Sequence, residues 1–116
     1  MSPERHPVDA TKETFHELVG SGLVLVDVWA ESCRPCVALA PHMVDIASSN
    51  PALTVVKLDA SKARRLCMSL QVRGLPTLLL LSDGQEVARI SEPSLTSEQV
   101  DVWLVSALAK LTTKEA

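Results

Sequence analysis

Apolar positions along this chain follow two different periods. Leu23 to Val26, then Val28 and Trp29, form a run broken only by Asp27. A β-branched apolar run of this kind marks a strand buried on both faces. Leu53 to Leu58, interrupted by Thr54 and Lys57, and Thr77 to Leu81 have the same character. Helical spacing takes over between these runs. Thr11 to Val19 reads as a helix with Thr11 as N-cap and Phe15, Leu18 and Val19 on one face. Gly20-Ser21-Gly22 ends it. A longer helix is expected from Cys33 or Arg34 to about Ser49, with Pro41 kinking it and Asn50-Pro51 closing it. Ala60 to Leu70 predicts another, with Ala63, Leu66, Cys67 and Leu70 inward. Asp83-Gly84 is a hairpin signal, from which Glu86 to Ile90 returns as an antiparallel strand. Thr96 and Gln99 form a capping box for the last helix, whose inner face is Val100, Trp103, Leu104, Ala107, Leu108 and Leu111. A short edge strand is expected near Val8, and residues 1–7 and 112–116 are expected to be loose.

From Leu23 onward the resulting order is strand, helix, strand, helix, strand, strand, helix. Crossover connections make the first strands parallel and the hairpin adds antiparallel ones. The fold class is therefore α/β, a mixed central sheet flanked by helices on both faces. A chain of 116 residues forms one domain, 1–116. Aromatic residues make up only 3%, so Leu, Val and Ala must fill the core. A net charge of −3 argues against nucleic-acid binding through phosphate contacts, and a solvated helix face accounts for Arg64-Arg65. No apolar run approaches the ~20 residues needed to cross a bilayer, and the first ten residues carry no signal-peptide pattern. A cytoplasmic protein with reduced thiols is the expectation. There a CxxC pair is catalytic or metal-binding more often than structural.

That pair is Cys33-Arg34-Pro35-Cys36, directly after the central strand. Positions three apart on a helix have β-carbons roughly 5–6 Å apart, and a disulfide needs ~3.5–4.5 Å. A small adjustment in the first turn therefore opens or closes the bond. The unpaired N–H groups and positive dipole end of a helix start favour a thiolate, the nucleophilic form. Arg34 adds a cation, and Pro35 suits a first turn where its missing N–H costs nothing. Cys33, the more exposed of the two, is read as the nucleophile and Cys36, one turn in, as the more buried partner. Zinc would need four ligands, and only Cys67, His6, His16 and His42 are available beside the pair, with no second CxxC. No metal is expected. Asp27 within an apolar strand should have a raised pKa, which suits a proton acceptor. Cys67 reads as a small core residue, the histidines as surface residues, and Met43 and Met68 as filler.

Taken together, VDVWAESCRPC, the helix-kinking Pro41, VVKLDA and VRGLPTLLLLSDG resemble the thioredoxin family, in the right order from about Val8 to Leu111. The resemblance implies the thioredoxin fold and a reductase of protein disulfides. Cys33 would attack the substrate disulfide and Cys36 would resolve the mixed disulfide. Asp27 would take the proton from Cys36, with Lys57 as its partner. Trp29, Arg34, Pro35, Leu75 and Pro76 would form the substrate surface, Pro76 in cis. It further implies no bound cofactor, electrons from NADPH through a thioredoxin reductase, disulfide-containing protein substrates, and a monomer. Four positions depart from the family pattern: Ser32 for a tryptophan, Arg34 for the usual glycine, Val37 for a basic residue, and Ser91-Glu92-Pro93 where a glycine is usual. They bear on recognition by a standard reductase and on substrate range. They also keep an alternative open: a thioredoxin-fold binding module for one partner, with vestigial or regulatory thiols.

Overall fold

The computed structural model describes residues 5–115, with side chains described as far as Leu111. The strands are β1 (Val8–Ala10), β2 (Leu23–Trp29), β3 (Leu53–Asp59), β4 (Thr77–Ser82) and β5 (Gln85–Ser91). The helices are α1 (Phe15–Val19), α2 (Arg34–Ser49), α3 (Arg64–Ser69) and α4 (Ser97–Glu115). Spatially the sheet runs β1-β3-β2-β4-β5. β1 and β2 pair in parallel with β3, while β4 pairs antiparallel with both β2 and β5. The mixed sheet and its short edge strand at Val8 are therefore as expected. Of the ends expected to be loose, residues 1–4 and 116 lie outside those described, and α4 continues through residues 112–115.

Alternation along β2 builds the two cores. Leu25 joins Leu39, Met43 and Ile46 of α2 and Val100, Leu104 and Ala107 of α4 on one face. Val24, Val26 and Val28 join Phe15 and Val19 of α1 and Cys67 of α3 on the other. Every one of these strand residues is at most 1% exposed, as a strand covered on both sides requires. By the same alternation Asp27 and Trp29 lie on the α2 side. Met43 is fully buried, but Met68 is 75% exposed and fills nothing.

Two helices are shorter than their spacing predicts. The Thr11 Oγ1 accepts the N–H groups of Glu13 and Thr14, and Thr14 Oγ1 accepts the N–H of Thr11. These local bonds hold a turn over residues 11–14, so α1 begins only at Phe15. Similarly, Asp59 accepts the Ser61 N–H and caps a single 3₁₀ turn, Ala60–Lys62. Ala63 then leaves helical geometry (φ −143°, ψ 47°) and α3 starts afresh. The hairpin behaves as read: Asp83 and Gly84 both have positive φ (48° and 84°), the geometry of a tight two-residue turn. The capping box of α4 forms as well, with Thr96 N–H on Gln99 Oε1 and Gln99 N–H on Thr96 Oγ1.

A register shift between Leu80 and Leu81 places Leu80 opposite Ala88 and Leu81 opposite Glu86. The extra residue on β5, Val87, brings Glu86 and Arg89 to one face, which residues three apart on a regular strand never share. The Arg89 Nε and Nη2 each donate to the Glu86 carboxylate at 2.6 Å. Nη1 and Nη2 also donate to the carbonyls of Gln71 and Leu70, at 3.0 and 2.8 Å. Those carbonyls end α3, where Gln71 sits at φ +58°, a conformation usually left to glycine. Arg89→Ala should therefore lower the unfolding free energy by about 1–2 kcal/mol, since the charged bonds are partly solvent-screened. Urea denaturation reads this directly, and an unchanged midpoint would show that the clamp contributes nothing.

Candidate active site

Cys33 is the N-cap of α2, with extended backbone (φ −92°, ψ 104°). It is joined to Cys36 by a disulfide, the two Cα atoms lying 5.2 Å apart. The Cys33 Sγ accepts the backbone N–H of Cys36 at 3.3 Å, the role a serine or aspartate oxygen plays at other helix starts. After reduction the same N–H and the helix dipole act on the Cys33 sulfur, and both stabilise a thiolate. Cys33 is half-buried while Cys36 is 2% exposed. Arg34 is exposed beside it and Pro35 occupies the first turn. α2 continues through Pro41 to Ser49.

Beneath α2 lies Asp27, 1% exposed, and its Oδ2 has no hydrogen-bond partner among the described residues. Burial pushes its pKa up to about 6, an effect that the Lys57 ammonium partly opposes. Lys57 faces Asp27 in register across β2 and β3. Its Nζ stands 4.6 Å from the centroid of the Trp29 ring, a cation–π contact. Asp27, Lys57 and Trp29 are thus linked towards the C-terminal end of β2, and the two cysteines follow that strand at the start of α2.

The Leu75–Pro76 peptide is cis. Pro76 immediately precedes β4, whose Thr77 pairs with Val28, so this peptide lies at the same end of the sheet as Cys33. Pro76 is buried and Leu75 is half-buried against the α1/α3-side core. Thr77, which the apolar pattern alone does not single out, fastens this segment. Its hydroxyl is 2.6 Å from the Gly74 carbonyl and 2.8 Å from the Ser91 hydroxyl. The one sequence signal for it is a polar residue at the head of an apolar run. His42 on α2 meets Asp101 on α4 at 2.7 Å, away from the cysteines. Among the described residues no three His, Cys, Asp or Glu side chains gather to hold a metal, and no helix is long and apolar enough to cross a membrane.

The family model for thioredoxin matches residues 6–105. Thioredoxin C-3 of Corynebacterium nephridii is 36% identical over 100 residues, covering 84% of this chain and 68% of its own. The thioredoxin of Acetoanaerobium sticklandii is 39% identical over 96 residues, covering 80% and 91% respectively. Among solved structures, a single-substitution mutant of a thioredoxin from Halobacterium salinarum superposes with a TM-score of 0.74 at 25% identity, over 89% of this chain and 93% of that one. A chain of the complex of ferredoxin:thioredoxin reductase with thioredoxin f2 gives 0.79 over 88% and 94%. At 23% identity that likeness concerns the fold alone. No observation favours a binding module with idle thiols. The pair at Cys33 and Cys36 is a thiol–disulfide oxidoreductase centre acting as a protein-disulfide reductase, and the chain belongs to the thioredoxin family.

Proposed function

We propose that Cys33 is the attacking sulfur and Cys36 the resolving one. The Cys33 thiolate displaces one sulfur of a client disulfide, giving a mixed disulfide and a client thiolate that takes up a proton. Cys36 then loses its proton to Asp27, attacks Cys33 Sγ and frees the second client thiol. Two electrons pass to the client, and Cys33–Cys36 becomes the disulfide. Lys57 moderates the rise of the Asp27 pKa, and its contact with Trp29 fixes its place. Trp29, Arg34, Pro35, Leu75 and Pro76 surround the exchanging sulfurs and receive the client backbone.

One observation carries this reading: the Cys33 sulfur caps α2 through the Cys36 N–H, and α2 follows the strand that buries Asp27, whose Oδ2 has no hydrogen-bond partner among the described residues. The protein works as a cytoplasmic monomer, without a bound cofactor, and draws electrons from NADPH through a thioredoxin reductase. Insulin reduction tests both halves. Turnover is expected first with dithiothreitol and then with NADPH plus a thioredoxin reductase. No turnover with dithiothreitol would eliminate the reductase reading. Turnover with dithiothreitol only would show that Ser32, Arg34 and Val37 turn the standard reductase away.

A further inference from the structure

Outside the cysteine pair itself, Lys12, Glu13, Lys62, Arg64 and Arg65 line a surface recess of about 630 Å³. It gathers four of the chain's 11 lysines and arginines but one of its 14 acidic residues, in a protein of net charge −3. All four cations are exposed, and none has an ion-pair partner among the described residues. The nearby Asp59 carboxylate is engaged by the Ser61 N–H and hydroxyl instead, at 3.0 and 2.6 Å. Unpaired like charges on one face raise a local potential that the net charge hides, and such potentials select and steer partners.

The position of the recess matters as much as its charge. Lys12 follows β1 by two residues, and Lys62 follows β3 by three. β1, β3 and β2 are parallel and in register through Ala10, Leu58 and Val28. Lys12, Lys62 and Cys33 therefore emerge from the same end of the sheet. Two strand spacings separate β1 from β2, roughly 10 Å. Four or five extended residues, at about 3.3 Å each, cover that distance and the rise of the helix start.

We propose that this recess is a docking surface for acidic protein clients. An Asp- or Glu-rich stretch four to five residues from the client's disulfide seats among Lys12, Lys62, Arg64 and Arg65 while the disulfide lies on Cys33. The proposal rests on the reductase reading and adds a client class to it. Because the thiol centre at the same end of the sheet acts on proteins, an acidic polypeptide is favoured over a nucleic acid.

The test uses two synthetic peptides, each with one internal disulfide, that differ only in a flank of three Asp or three Lys placed four residues away. Pre-reduced protein is mixed with each and the second-order rate constant is measured. At about 0.02 M salt the acidic peptide should react about tenfold faster, and at about 0.5 M, where screening acts within a few ångströms, the ratio should fall to about twofold or less. Lys62→Glu/Arg64→Glu/Arg65→Glu, at exposed positions, should abolish or reverse the preference while leaving the rate with neutral hydroxyethyl disulfide unchanged. A ratio near one in the unmodified protein, or a preference that survives the triple substitution, overturns the proposal. So does duplex DNA binding to the recess at physiological salt without any peptide preference. Failure to reduce either peptide or hydroxyethyl disulfide would instead sink the reductase reading.

Discussion

Replacing Cys33 with serine should take dithiothreitol-driven insulin reduction down to the rate of dithiothreitol alone, a loss of at least about a thousandfold. Replacing Cys36 should give a different failure. The attacking sulfur is intact in Cys36→Ser, so the client disulfide is still opened, but nothing displaces the client afterwards. The protein should therefore accumulate as a mixed disulfide, visible as a client-sized mass increase under non-reducing conditions and reversed by dithiothreitol. The asymmetry follows from geometry. Cys33 is half-buried and its sulfur holds the Cys36 N–H at 3.3 Å, whereas Cys36 is 2% exposed and cannot meet a protein client first. Cys67 offers no rescue, because burial and the Asp59 carboxylate push its thiol pKa up. Hence it carries less thiolate at neutral pH, not more. Equal, mild losses in both variants would refute the assigned roles. Trapping by Cys33→Ser in place of Cys36→Ser would reverse them.

Much of this site was legible because its determinants are local. A short run from Leu23 to Trp29 rich in β-branched residues marks a covered strand, and the observed strand has those bounds. Cys33 caps α2 and the helix ends at Ser49, where Asn50-Pro51 closes the pattern. Asp27 stood out as the single charge in the strand, and its burial and raised pKa follow from that placement. What stayed hidden depends on neighbours remote in the chain or on side chains that compete with the backbone. Thr11 and Thr14 bond each other and delay α1. Asp59 caps a 3₁₀ turn, and the chain breaks at Ala63 within a run that has helical spacing. Arg89 reaches carbonyls 18 and 19 residues away, only because β5 carries an extra residue. Arg64-Arg65 read alone as a solvated helix face. The fold adds Lys12 and Lys62 to them, from two separate crossovers.

Asp27→Asn should stabilise the protein at neutral pH and slow it as a catalyst. The Asp27 pKa rises from 3.8 to about 6 on folding, chiefly through burial. Between those values the folded state holds a proton that the unfolded state has released. Stability contributed by this residue therefore falls as pH climbs from about 4 to about 6, and stays low above that window. At about 1.36 kcal/mol per unit the full difference is about 3 kcal/mol. Urea denaturation of the two proteins should show them nearly equal at about pH 4, with the variant ahead by up to about 3 kcal/mol at pH 7. The activity should move the other way. Without a carboxylate to take the Cys36 proton, resolution slows, and mixed disulfide should build up during turnover by about tenfold or more. In the unmodified protein the same step should weaken as pH falls through about 6 and Asp27 becomes protonated; in the variant that inflection should vanish. A variant no more stable than the parent at pH 7 would mean that the buried carboxylate finds compensation in solution that its unpartnered Oδ2 does not suggest. An unaltered pH profile would leave Cys36 to lose its proton by some other route.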